Sequence, residues 1–283
     1  MKKLSKLLDT SLLHSDHLRR AVPGPVKRAL KRRIPYADYR SAQLRREAEK
    51  RLGGPIPTES DYESPYDVTL GIFFDNSYGY AMNVAACREL SVRFKVIDIT
   101  ASDWIQRVRD SGCDTFLATP ATLRSVWHRM YEERLWVVVN ELDKQICPSY
   151  EELFLWESKR RMRDWLVAHD VPHPTTWVFF DREQAMRFCR EARYPVVAKT
   201  NRGAASSGIF VLKDRKSAER LVKQAFSGGI LTRSADARER EDGSILFQEH
   251  ILHDYEWRVV RIGDDFMCRR KVPIGEHASG SGD

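Results

Sequence analysis

The sequence predicts an α/β chain that changes character part-way: a parallel α/β domain, followed by an α+β domain with mixed or antiparallel sheets. Three observations carry this. From Val68 onward, short apolar runs alternate with amphipathic stretches of ten to thirteen residues, the pattern of parallel strands joined by crossover helices. The alternation changes near Cys147-Pro148. Towards the end, SILFQEHI, EWRVVRIG and DDFMCRRKV follow one another with no helix between them, and Gly263-Asp264 forms a hairpin turn between the last two.

Residues 1–66 read as a basic arm and linker. They contain Pro23-Gly24-Pro25, the basic run Lys27–Arg33, a helix rich in Arg, Glu and Ala over 37–52, and a break at Gly53-Gly54-Pro55. Residues 1–60 hold 15 Lys or Arg against 6 Asp or Glu, whereas the whole chain has a formal charge of +7. The body is therefore near neutral, which argues against a nucleic-acid-binding surface on it. A contact between the arm and an anionic surface is one expectation, and a solvated helix packed on its own protein is the other. No stretch approaches the ~20 apolar residues that span a bilayer. The basic start lacks the apolar core of a signal peptide, so a cytoplasmic protein is expected. The five cysteines are far apart, with no CxxC pair, and read as buried thiols rather than a disulfide framework or zinc site.

The first domain is expected over 67–147. VTLGIFF is a strand, AMNVAACREL a helix, FKVIDI a strand, ASDWIQRVRDSG a helix, DTFLAT a strand, ATLRSVWHRMYEE a helix and LWVVV a strand. Asp75–Tyr80 lies beyond the carboxyl end of the first strand, where ligands of parallel sheets sit, and is read either as a substrate contact or as a plain connection. The second domain is expected over 148–283. A short helix over Ser149–Phe154 precedes a longer one over Glu157–Asp170, with Met162, Trp165, Leu166 and His169 on one face. TTWVFF is a strand, REQAMRFCREA a helix, PVVAK and GIFVLK are strands, and DRKSAERLVKQAF is a helix.

Chemistry concentrates in YPVVAKTNRGAASSGIFVL. Alternation puts Val197 and Lys199 on one face of their strand, and Val196 and Ala198 on the other. Lys199 ends the strand beside a loop without bulky side chains, Gly203–Gly208, in which backbone N–H groups and the hydroxyls of Ser206 and Ser207 can meet anionic oxygens. A neighbouring lysine supplies a point charge for phosphate. The loop fits neither GxxxxGK[ST] nor GxGxxG. Further on, Gln248-Glu249-His250-Ile251 leads from an apolar strand into a polar turn. Its backbone can read the edge of adenine, with Ile251 against the ring. Glu256 suits two ribose hydroxyls, and Arg258 and Arg261 follow on the same strand. His250 and His253 with Asp254 and Glu256 form an alternative metal site, at a spacing unlike the common helical pair. By composition alone, Trp156–Arg161 is a solvated helix face.

The order of these pieces resembles the ATP-grasp superfamily, near the branch of D-alanine–D-alanine ligase and the glutamate-adding ligases of ribosomal proteins. The resemblance covers Ser149–Asp283, and more loosely Val68–Asn140 as a pre-ATP-grasp domain. It implies nucleotide contacts by Lys159, ahead of Pro174-Thr175, and by Lys199, Gly203, Ser206, Ser207 and Gly208. It further implies adenine contacts by Gln248, Glu249 and Ile251, and ribose contacts by Glu256. Arg258, with Arg269 or Arg270, would face the transferred phosphate, and Arg270 is the residue taken for that role. The implied substrate is ATP with Mg²⁺. The implied reaction is ATP-dependent carboxylate–amine ligation through an acyl phosphate, on a carboxylate-bearing small molecule or a peptide or polymer precursor. A nucleotide-binding module without catalysis, or a small-molecule kinase on the same fold, are the alternatives. The superfamily binds Mg²⁺ through a late carboxylate and an E-x-N motif, but after Arg270 only Glu276 and Asp283 are acidic. No metal ligand is assigned, and the sequence is expected to be the N-terminal part of a longer enzyme.

Overall fold

A computed structural model describes residues 36–74, 77–120, 124–203, 208–231 and 239–272. The arm before residue 36, Asp75, Asn76, Ser206, Ser207, Glu276 and Asp283 thus lie outside the described residues. The chain divides into two compact units at Phe154–Leu155, with Glu239 belonging to the first.

In the first unit, α1 (Tyr36–Leu52) precedes β1 (Thr69–Phe74), α2 (Ala81–Glu89), β2 (Arg93–Asp98), α3 (Trp104–Asp110), β3 (Thr115–Leu117), α4 (Ser125–Asn140) and β4 (Gln145–Cys147). The strands form a parallel sheet in the order β2-β1-β3-β4. This is the expected parallel α/β pattern, in which β2 lies on one side of β1 and β3 and β4 on the other. Successive residues of β1 alternate across the sheet, so Phe73 enters one core with Ile97, Phe116 and Leu135, and Ile72 enters the other with Val84 and Phe94. Phe73 and Phe116 stack at 5.0 Å and 11°. Gly71 makes that stack possible, because a Cβ there would lie 2.3 Å from the Phe116 ring. Part of the expected linker is structured: Val96 N–H donates to Thr58 O and Ser60 N–H to Phe94 O, with Glu59 bridged antiparallel to Lys95 at the sheet edge.

One expected strand is a helix. LWVVV continues α4, and the fourth strand is Gln145–Cys147. The physical reason is periodicity over a longer window. His128, Tyr131, Leu135 and Val138 are buried at helical spacing, while Trp136, inside the apolar run, is exposed.

In the second unit, α5 (Tyr150–Leu155) marks the boundary and α6 (Lys159–Ala168), β5 (Thr176–Phe179), α7 (Arg182–Glu191), β6 (Val196–Lys199), β7 (Ile209–Leu212), α8 (Arg215–Ala225), β8 (Ile245–Glu249), β9 (Glu256–Ile262) and β10 (Asp265–Lys271) follow. A four-stranded antiparallel sheet runs β5-β8-β6-β7, and β9 pairs with β10 as a separate hairpin. Directly paired residues share a face. One face carries Trp177, Phe179, Val196, Ala198, Phe210, Leu212, Ile245 and Phe247, and these pack with Ala185 and Cys189 of α7 and Ala218 and Val222 of α8. Asp181 and Asp214 start these helices by accepting the N–H of Gln184 (2.8 Å) and Ser217 (2.7 Å). The opposite face carries Thr176, Gln248, Val197 and Lys199.

Helix α6 is shorter than the expected Glu157–Asp170. None of its residues is buried, and Met162 and Trp165, expected on one face, are exposed, with Trp165 stacked on His169 at 4.3 Å. Among the described residues, no helix is long and apolar enough to cross a membrane.

Candidate functional site

The polar groups of the helix-free sheet face form a chain of hydrogen bonds. Lys199 Nζ donates to Gln248 Oε1 (2.5 Å), Gln248 Nε2 donates to Thr176 Oγ1 (2.8 Å), and Thr176 donates to Pro174 O (2.7 Å). The antiparallel register places Val197 opposite Gln248, and Gln248 opposite Thr176. Three strands therefore contribute to one polar row, with Lys199 at its open end.

Lys159 arrives from the first turn of α6. Its Nζ donates to Gly203 O (2.9 Å) and Asn201 O (3.4 Å), both in the turn that follows β6. Gly203 has φ 123°, a region that side chains avoid, so a glycine is required where the chain enters the small-residue loop. Burial lowers the pKa of Lys159, with Glu157 and Glu241 opposing it. Burial also lowers Lys199, the like charge of Lys159 lowers it further, and Glu256 opposes. Each ammonium is thus partly desolvated, and an anion placed beside either would favour its charged form.

The hairpin brings in Glu256, whose carboxylate lies 3.3 Å from both Lys271 Nζ and His253 Nε2. Glu256 pairs with Lys271, Arg258 with Arg269, and Trp257 with Arg270. Arg258 and Arg269 therefore share the face of Glu256. Arg270 belongs to the other face, where its guanidinium lies 5.4 Å above the Tyr255 ring. Of the two arginines the resemblance left open, Arg269 stands opposite Arg258 and Arg270 opposite Trp257.

The remaining expected positions divide further. Glu249 accepts the N–H of Thr175 through its side chain (2.7 Å) and donates its own N–H to Thr175 O (2.9 Å), so both groups are committed to the β5 edge. Ile251 is 51% exposed, and its carbonyl contacts the His253 ring at 2.9 Å. Gly208 accepts the N–H of Thr200 at 2.9 Å, closing the base of the loop that contains Ser206 and Ser207. Ser77, at the end of β1 in the first unit, is buried. Among the described residues, no group of three His, Cys, Asp or Glu is placed to hold a metal.

Sequence reasoning missed Asn201, Thr176 and Glu241. Glu241 Oε1 accepts the N–H of Asn201 at 2.6 Å, from forty positions away. Asn201, 7% exposed, accepts at Oδ1 from Arg160 N–H (2.9 Å) and Ser158 Oγ (3.2 Å). No local pattern in the sequence marks Asn201, because its burial and its partners come from residues about forty positions away.

Among curated proteins, the chain is similar to phosphoribosylamine–glycine ligase of Fusobacterium nucleatum, 27% identical over 130 residues, which are 46% of this chain and 29% of that protein. The match spans less than a third of the relative's length. Among solved structures, it is similar to the N5-carboxyaminoimidazole synthase of Aspergillus clavatus in complex with ADP, with a TM-score of 0.48, 14% identity, and coverage of 75% of this chain and 55% of that one. It is also similar to a RimK domain ATP-grasp protein of Sphaerobacter thermophilus, with a TM-score of 0.43, 16% identity and 68% coverage of each chain. No family model matches the chain.

Proposed function

We propose that the second unit binds ATP on the helix-free face of its sheet, and that the protein is an ATP-dependent carboxylate–amine ligase. The observation that carries this reading is that Lys159, from the start of α6, donates through Nζ to Gly203 O and Asn201 O in the turn that follows Lys199, so that two half-buried cations from separate elements flank one turn, with burial lowering the pKa of each. Such a pair is organised to receive a polyanion. In the proposed arrangement, both lysines contact phosphate oxygens and amides of the Gly203–Gly208 loop cradle them. The adenine lies against the Gln248–Ile251 segment and the ribose hydroxyls meet Glu256. Arg258 and Arg269 face the transferred phosphoryl group.

The reaction then has two steps. A carboxylate oxygen of the substrate forms a bond to the γ-phosphorus as the bond to the β–γ bridging oxygen breaks, giving an acyl phosphate and ADP. An amine nitrogen next attacks the acyl carbon, phosphate leaves with the electron pair of the C–O bond, and the nitrogen loses a proton to give the amide. The lysines and arginines stabilise negative charge in the first step. Mg²⁺ belongs to the proposal only as a companion of ATP. The described residues do not fit a metal site, and no step is routed through one.

Phosphoribosylamine–glycine ligase, by its name, also joins an amine to a carboxylate substrate, which supports the reaction class. The carboxylate partner is proposed to be a small molecule or a peptide or polymer precursor, and the cytoplasm is the compartment that supplies ATP. Calorimetric titration of ATP into the full chain tests the first half, with saturable binding expected in the wild type and its loss in Lys199→Ala. Equal affinity in the two proteins overturns the site. Release of ADP and phosphate that requires both a carboxylate and an amine tests the second half.

A further inference from the structure

Two lysines can share one anion only if the elements that carry them are held at a fixed separation. Lys159 opens α6 and Lys199 ends β6, forty residues apart in sequence. Four bonds from Asn201 join them. Its side-chain Oδ1 accepts Arg160 N–H (2.9 Å) and Ser158 Oγ (3.2 Å), so it binds the N-cap and first turn of α6. Its backbone carbonyl accepts Lys159 N–H (3.1 Å) and also Lys159 Nζ (3.4 Å). Asn201 is two residues beyond Lys199, and the intervening Thr200 N–H donates to Gly208 O, which fixes the strand end. Behind it, Glu241 accepts the N–H of Asn201 (2.6 Å) and of Arg202 (3.4 Å), and lies 3.7 Å from the Arg160 guanidinium. Ser158 and Asn201 are buried, at 5% and 7% exposure, while Arg160 and Glu241 are partly exposed.

We infer that Asn201 is a positioning residue for the nucleotide site: through its side-chain oxygen and carbonyl it locks the start of the Lys159 helix to the end of the Lys199 strand, and Glu241 locks Asn201 in turn. This rests on the ATP reading for its functional meaning, but the clamp itself sets the distance between two charges whether or not nucleotide is present. Asn201 touches no reacting atom. An amide oxygen suits the place because two donors approach it from a single helix start, and the buried surroundings make an unfilled donor costly.

The experiment uses the full chain, with lysines labelled at Cε so that the titrations of Lys159 and Lys199 are followed by NMR without nucleotide. ATP affinity is measured by calorimetry and unfolding by urea. In Asn201→Ala, Lys159 drifts from Lys199. The Lys199 titration moves up toward the ordinary value of 10.5, and ATP binding weakens about tenfold to a hundredfold, the scale of a misplaced binding group. Asn201→Asp keeps the acceptor oxygen and restores ATP affinity to within a few fold. Unchanged lysine titrations and affinity in a folded Asn201→Ala overturn the clamp. So does a failure of Asn201→Asp to recover when its urea midpoint is that of the wild type. If Asn201→Ala does not fold, Ser158→Ala removes one of the two donors and must move the Lys199 titration in the same direction; no movement overturns the inference. Absence of ATP binding in the wild type overturns the nucleotide reading instead, and the lysine titrations still decide the clamp.

Discussion

The two four-stranded sheets of this chain differ in how they spend their faces. The parallel sheet of the first unit is covered on both, with Phe73, Ile97 and Phe116 on one side and Ile72, Val84 and Phe94 on the other. The antiparallel sheet of the second unit buries one face under α7 and α8 and gives the other to Lys199, Gln248 and Thr176. A parallel sheet places crossover helices on both faces, so its chemistry is confined to the loops at its strand ends. An antiparallel sheet turns through hairpins and can leave a face for a ligand. Apolar burial sets the stability of the first sheet, whereas the second holds charges in partly desolvated positions at a cost to stability that bound phosphate would relieve.

The largest test of this contrast is Phe116→Ala. It removes the ring stacked on Phe73 in a fully buried layer, and a loss of about 3–5 kcal/mol in urea unfolding is expected. A loss below ~1 kcal/mol would break the description of that face as close-packed core. Next comes Lys199→Met. Removing a charge-assisted contact is expected to lower ATP affinity by about 1.5–3 kcal/mol, roughly 10- to 100-fold, while circular dichroism reports an intact fold. A matching collapse of structure would show that Lys199 belongs to the scaffold rather than to the open face. A smaller effect is expected at the covered face, where Asp181→Ala removes the cap of α7 and should cost about 1 kcal/mol without altering ATP affinity.

The smallest effect is a pH dependence. The folded-state pKa of Lys199 lies below its ordinary 10.5, so the unfolded chain binds the proton more tightly. The resulting penalty is present below the folded value and fades as pH rises from that value to 10.5. Relative to Lys199→Met, the wild type should therefore gain stability across this window, while its ATP affinity falls as the ammonium loses its charge. Urea midpoints and calorimetry at stepped pH measure both trends, and a difference that stays flat would remove the claim of a desolvated lysine.

Much of this architecture was legible in the sequence because it is local. The alternation of Val196–Lys199 announced which side chains share a face, and the Asp-initiated helices α7 and α8 carried their own start signals. The exception in the first unit is instructive. LWVVV looked like a strand within five residues and proved helical because its burial follows His128 and Tyr131 upstream. In the second unit, the motifs placed Lys159 and Lys199 in order along the chain, but no local pattern marked Asn201 as the residue between them.

The sequence by itself determined the order of elements, apart from LWVVV and the strand Gln145–Cys147, and the change from parallel to antiparallel sheet, since these follow from periods of two and 3.6 residues. Only the tertiary structure decided which groups meet. Gln248 became the partner of Lys199 through the β6–β8 register, Arg269 rather than Arg270 stands opposite Arg258 through the β9–β10 register, and Lys159 reached the turn after Lys199 through bonds to Asn201 and Gly203. Register and long-range contacts depend on residues tens of positions apart, and shifting a strand by one residue exchanges every face. That is why the sequence could name candidate residues, while their geometry could not be read from it.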